Sequence, residues 1–129
     1  MLNHLIREGA GKRQPWPYAQ PAWIFTSRDL ETVPGANIRF VSGDVREVHN
    51  AMVRAADGIN VWIVGGGELV GKFYDCGLID EIIVTIAPVT FSKGAPILPR
   101  RIVTPPLRLV SVEKWGTGMA HLIYEVPKP

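Results

Sequence analysis

Three consecutive glycines, Gly65, Gly66 and Gly67, follow four apolar residues in the segment NVWIVGGGELVGKF. Glycine loses more backbone freedom on folding than any other residue. Three together therefore mark a tight turn, or a place where something approaches the backbone closely. A helical pattern starts at once after them, and bare N–H groups at a helix N-terminus form an anion site. Two phosphate motifs nearly fit. The dinucleotide pattern G-x-G-x-x-G fails because Val70 stands where its third glycine belongs. The P-loop pattern runs from Gly66 through Gly71 and Lys72 but ends on Phe73, which has no hydroxyl for magnesium. ATP hydrolysis by such a loop is not expected; a phosphate-bearing ligand on the glycine backbone is. The bland alternative is a strand-to-helix turn with no ligand. Glu68 is acidic, so it should point away from an anion or help cap the helix.

Two further turns have the same character. Thr26, Ser27 and Arg28 close the segment AWIFTSR, and two hydroxyls beside an arginine can hold a phosphate through charge-assisted bonds. Taken alone they are ordinary turn chemistry. Ser42 and Gly43 end FVSG in the same way. One long ligand, such as a dinucleotide, would account for all three turns. Other candidates are poorer. His4, His49 and His121 lack metal-ligand spacing, and no metal site is expected. No serine lies in a nucleophile elbow. The lack of an obvious acid, base or nucleophile suits hydride transfer, where the cofactor carries the chemistry.

The elements that must position these turns can be read from pattern. AWIFT (22–26) and IRFV (38–41) read as strands bounded by Pro21 and the Pro34-Gly35 turn. In DVREVHNAMVRAADG, Asp44 and Glu47 have capping-box spacing, Val45, Val48, Met52 and Ala55 form a helical stripe, and Gly58 is a stop. VWIV (61–64) reads as a buried parallel strand. ELVGKFYDCG reads as a helix with Leu69, Val70, Phe73 and Tyr74 inward and Gly77 at its end. EIIVTIAPV is another strand, TFSKGAPILPRRIVTPP a long loop, and LRLVSVEKW with AHLIYEV a hairpin across GTG. LNHLIRE could add a turn or two of helix ahead of them. Cys76 is expected to be a small buried side chain, and Arg100-Arg101 a solvated basic pair. Alternation of strands and helices predicts an α/β fold with a mostly parallel sheet and an antiparallel hairpin at its edge. Ligands of such sheets bind at the carboxyl ends of the strands.

The chain has 129 residues, which suits one domain over 1–129, with 1–20 irregular. A hydrophobic content of 47% against 20% charged residues places it among globular rather than disordered chains. A net charge of only +2 gives no argument for a nucleic-acid or membrane partner. One cysteine permits no internal disulfide, and a reducing cytoplasmic setting is expected.

The blocks WPYAQPAWIFTSR, FVSGDV and VWIVGGGELVGKFYDCGLIDEIIVTIAPVTFSKGAPILP, with the closing hairpin, resemble the dihydrofolate-reductase-like superfamily. Within it they are most similar to the C-terminal reductase domain of the bacterial bifunctional riboflavin-biosynthesis deaminase–reductase. The resemblance covers about residues 15–126. It implies a three-layer α/β/α mixed sheet and an NADPH-dependent reductase acting on a small-molecule substrate, with a homodimer as partner state. That substrate is a ribosylamino-pyrimidine phosphate in the riboflavin branch and a dihydropterin in the folate branch. It also implies cofactor-binding roles. Thr26, Ser27 and Arg28 would hold the adenosine 2′-phosphate, Ser42 and Gly43 would lie beside the adenine, and Gly65, Gly66, Gly67, Glu68 and Leu69 would cover the pyrophosphate. The family's N-terminal strand–helix–strand segment has no counterpart here, so truncation is expected and no catalytic residue is assigned. A nucleotide-binding or assembly module without chemistry is the alternative.

Overall fold

The computed structural model describes residues 15–128. The expected first turns of helix, in LNHLIRE, lie outside the described residues, as does His4. Two compact units divide between Asp44 and Val45.

In the first unit, β1 (Ala22–Phe25) pairs in parallel with β2 (Ile38–Val41), Ala22 opposite Ile38 and Phe25 opposite Val41. The Pro34-Gly35 turn lies between them, with Gly35 at φ +76°. Trp23 and Arg39 face each other in this register, and the Arg39 guanidinium carbon is 5.1 Å from the indole centroid. That cation–π contact covers an aromatic ring that a two-stranded sheet cannot bury by itself.

The second unit holds α1 (Val45–Ala56), α2 (Gly67–Asp75), β3 (Glu81–Ile86), β4 (Arg108–Trp115) and β5 (Met119–Glu125). Its core is small and centres on Phe73, which is fully buried, with Val45 and Met52 of α1, Ile79 and Val126. Full burial of one such ring contributes about 1.5–3 kcal/mol. The His49 ring meets Phe73 edge-on, with centroids 6.1 Å apart. Helix α2 stops as its sequence predicts. Gly77 takes φ +69° and its N–H donates to Tyr74 O, while Leu78 N–H donates to Phe73 O. Those two bonds are the Schellman pattern, and they satisfy carbonyls that the helix leaves open. Lys128 then donates to Gly77 O and Ile79 O, each at 3.0 Å, and pairs with Asp80.

Strand order in the three-stranded sheet is β3-β5-β4, and both pairings are antiparallel. The hairpin crosses Gly116–Gly118 as expected, with a bulge between Leu109 and Ser111. Residues 87–107 contain neither helix nor strand.

Four expectations are corrected. The mostly parallel sheet is not found among the described residues: only β1 and β2 run parallel, and β3 takes its partner from the returning strand β5 through Ile82–Tyr124, Ile83–Ile123 and Val84–Leu122. The segment 61–64 forms no ladder, and Trp62 is 73% exposed. An apolar run reports a preference for burial, but a strand also needs a second backbone, and none of the described strands supplies one to it. Ala55 lies on the exposed side of α1, and its place in the apolar stripe passes to Ala56. Cys76, expected to be buried, is partly accessible at the end of α2. Among the described residues no helix is long and apolar enough to cross a membrane.

Candidate functional site

The parallel pairing of β1 and β2 puts their carboxyl ends side by side, and Thr26 N–H still donates to Val41 O at 2.9 Å. The turn Thr26–Ser27–Arg28 therefore lies at the same end of this sheet as Ser42–Gly43. The Thr26 hydroxyl accepts the Arg28 N–H at 3.0 Å, which fixes the turn. Ser27 and Arg28 are exposed, and Arg28 has no carboxylate partner among the described residues. Gly43 takes φ +93°, a conformation that L residues with side chains avoid. The structure thus brings together Thr26, Ser27, Arg28, Ser42 and Gly43 in the first unit. Gly65 to Leu69 form a separate group at the start of α2 in the second.

Two of the three glycines of the opening segment have a structural reason, and the two reasons differ. Gly65 takes φ +132°, which only glycine adopts easily. Gly67 is required by packing: a Cβ there would run into the carbonyl oxygen of Ile97 and stand 2.9 Å from that of Pro96. Gly66 has neither reason. Its φ is −75°, acceptable to any residue, and a Cβ would meet nothing within 4 Å. It is the N-cap of α2 and makes no side-chain cap hydrogen bond, so the first-turn N–H groups are not covered by a capping side chain. The Gly65-Gly66 peptide is cis. The arrangement offers backbone donors and the positive end of a helix dipole to an anion.

Glu68 does not cap the helix. Arg100 donates to it through Nη2 at 3.1 Å, and to both oxygens of Asp75 through Nε at 2.9 and 3.0 Å. Asp75 and Glu68 stand seven residues apart, two turns of one helix face. Gly71 lies between them, where a Cβ would be 2.6 Å from the Arg100 guanidinium carbon. Hydrogen bonding to Arg100 holds the Asp75 carboxyl below its ordinary range; desolvation opposes this, and the guanidinium charge adds to it. The same partners, Asp75 first, raise the Arg100 pKa. Arg100 was expected to be solvated and is instead 22% exposed and paired twice. The sequence signal for it was the acid–glycine–acid spacing on α2, which has no partner nearby in sequence.

The chain matches the RibD C-terminal domain family over residues 18–121. It belongs to that family. Among relatives, it is 29% identical over 105 residues to YwjB of Bacillus subtilis (strain 168), an uncharacterised protein, covering 81% of this chain and 59% of YwjB. It is 27% identical over 88 residues to the uncharacterised YyaP of the same organism, covering 66% of this chain and 45% of YyaP. The chain thus spans about half the length of these relatives. A crystal structure of a protein from Shewanella sp. PV-4, provisionally named a riboflavin biosynthesis protein, superposes with a TM-score of 0.72 at 20% identity. It covers 98% of this chain and 70% of the Shewanella chain, and shows a shared fold. The turns Thr26–Arg28, Ser42–Gly43 and Gly65–Leu69 all lie inside the span of the RibD C-terminal domain match.

Proposed function

We propose that this RibD C-terminal domain is the dinucleotide-binding part of an NADPH-dependent reductase of the riboflavin-biosynthesis type. It acts on a ribosylamino-pyrimidine phosphate or a related small heterocycle, as a cytoplasmic homodimer with the three-layer architecture of its superfamily. The observation that carries the reading is Gly66, a glycine that neither a positive φ nor a packing clash requires. A ligand lying against its backbone would require it.

The residues present fit such a ligand. Arg28 and Ser27 would hold the adenosine 2′-phosphate, and the Thr26 hydroxyl keeps their turn in shape. Ser42 and Gly43 would flank the adenine, and the backbone of Gly65 to Leu69 would receive the pyrophosphate. Bound NADPH supplies a hydride. Arg100 draws the Glu68 carboxylate toward itself and offsets its charge, which reduces repulsion of an anion at the start of α2.

A nucleotide-binding or assembly module without chemistry is the second reading. The unpaired segment 61–64, directly ahead of the glycines, favours it, because a catalytic site needs a rigid support. Fluorescence titration with NADPH, followed by an assay of NADPH oxidation with candidate substrates, separates the two. Saturable binding with turnover supports the reductase. Binding without turnover supports the module. Absence of saturable binding contradicts the reductase and the nucleotide-binding form of the module.

A further inference from the structure

A cavity of about 310 Å³ opens beside the last turn of α2. Its polar lining is Tyr74, Arg101 and Thr104, and Val103, Pro105 and Pro127 contribute apolar walls. At about 1.5 Å per residue, the seven residues from Gly67 to Tyr74 put it about 10 Å along α2 from the glycine turn. Its lining shares no residue with the dinucleotide site proposed above, and it does not depend on that site.

Of the residues that line the cavity, Arg101 alone is charged. Glu68 and Asp75 are both taken by Arg100, and Asp80 is taken by Lys128. Among the described residues, the side chains of Arg101, Tyr74 and Thr104 have no hydrogen-bond or ion-pair partner. One guanidinium and two hydroxyls thus line a single cavity with their bonding capacity unspent. Adjacent arginines have opposite fates: Arg100 is consumed by the fold and Arg101 is left over. Proline walls add apolar surface with almost no side-chain entropy to lose on binding. The volume lies at the lower end of the range for small-ligand sites.

We propose that this cavity binds a small organic anion, with one carboxylate or phosphate head on Arg101, Tyr74 and Thr104 and a flat apolar body against Pro105 and Pro127. Arginine suits either head, because its planar fork matches both.

The probes are benzoate and phenyl phosphate, with benzyl alcohol as the neutral control, titrated into the full chain and followed by amide NMR shifts. The expected result is saturation by at least one anion at millimolar concentration, with shifts centred on Tyr74, residues 101–104 and Pro127's neighbours. Arg101→Gln, a change at an exposed residue, should weaken that binding at least about tenfold. Tyr74→Phe should weaken it by less while keeping the shift pattern. The stronger of the two anions identifies the head group. No saturable shift with either anion overturns the proposal. So does equal binding of benzyl alcohol, or binding that Arg101→Gln leaves unchanged in a variant whose spectrum is otherwise that of the wild type.

Discussion

Gly71 and Arg100 are fitted to each other: the guanidinium carbon of Arg100 occupies the space that a Cβ on Gly71 would need, at 2.6 Å. The ion pairs to Glu68 and Asp75 depend on that vacancy. In an ordinary helix, Gly→Ala stabilises by about 1 kcal/mol. Gly71→Ala should not show this gain, because the new methyl displaces the guanidinium. Thermal unfolding of Gly71→Ala alone and in an Arg100→Gln background checks this. The alanine should help only when Arg100 is already gone. A full gain in the Arg100 background would mean that the pair survives the methyl.

Asp75 gives a pH signature. Its folded-state pKa is lowered, mainly by hydrogen bonding to Arg100. A depressed carboxyl pKa adds stability above its unfolded value, about 3.9, and that contribution fades as pH falls through the folded value. Denaturant melts of the wild type and Asp75→Asn should therefore differ at neutral pH and converge in acid. A gap that stays constant down to about pH 2 would show that the carboxylate charge is not what matters.

Arg28 should set cofactor preference. A hydrogen bond to a charged group contributes roughly 1.5–3 kcal/mol, so Arg28→Ala should weaken NADPH by about 10- to 100-fold. NADH, which lacks the 2′-phosphate, should be little affected. Parallel titrations with both nucleotides decide the matter. Equal losses would remove Arg28 from the site.

The helices and the hairpin were legible in the sequence because periodicity and a stopping glycine are local signals. Val45 and Met52 at helical spacing, and Gly77 at the end of α2, suffice for that. VWIV was misread because pairing is a relation between segments, and four apolar residues contain no information about a second backbone. The turns at Thr26–Arg28, Ser42–Gly43 and Gly65–Leu69 were visible by composition. The division of labour among the three glycines was not, since Gly67 answers to carbonyls at Pro96 and Ile97, some thirty residues away. Arg100 was missed for the same reason: its partners are 25 and 32 residues distant.

The unpaired segment 61–64 should be visible in hydrogen exchange. Strand β5 is bonded on both sides, while residues 61–64 have no ladder and β3 has one partner. Amides of 61–64 should exchange far faster than those of β5. Protection of 61–64 equal to that of β5 in the 129-residue chain would contradict the pairing described here.

The central claim is that Gly66 is glycine for the sake of a ligand and Gly67 for the sake of the fold. The most direct measurement is NADPH titration of Gly66→Val and Gly67→Ala beside the wild type, with circular dichroism and thermal unfolding of each. Gly67→Ala should lose about 1–3 kcal/mol of stability, because backbone carbonyls stand in the way. Gly66→Val should keep the wild-type spectrum and melting temperature and lose NADPH binding. A Gly66→Val protein that binds NADPH as the wild type does, or that fails to fold, would contradict the account.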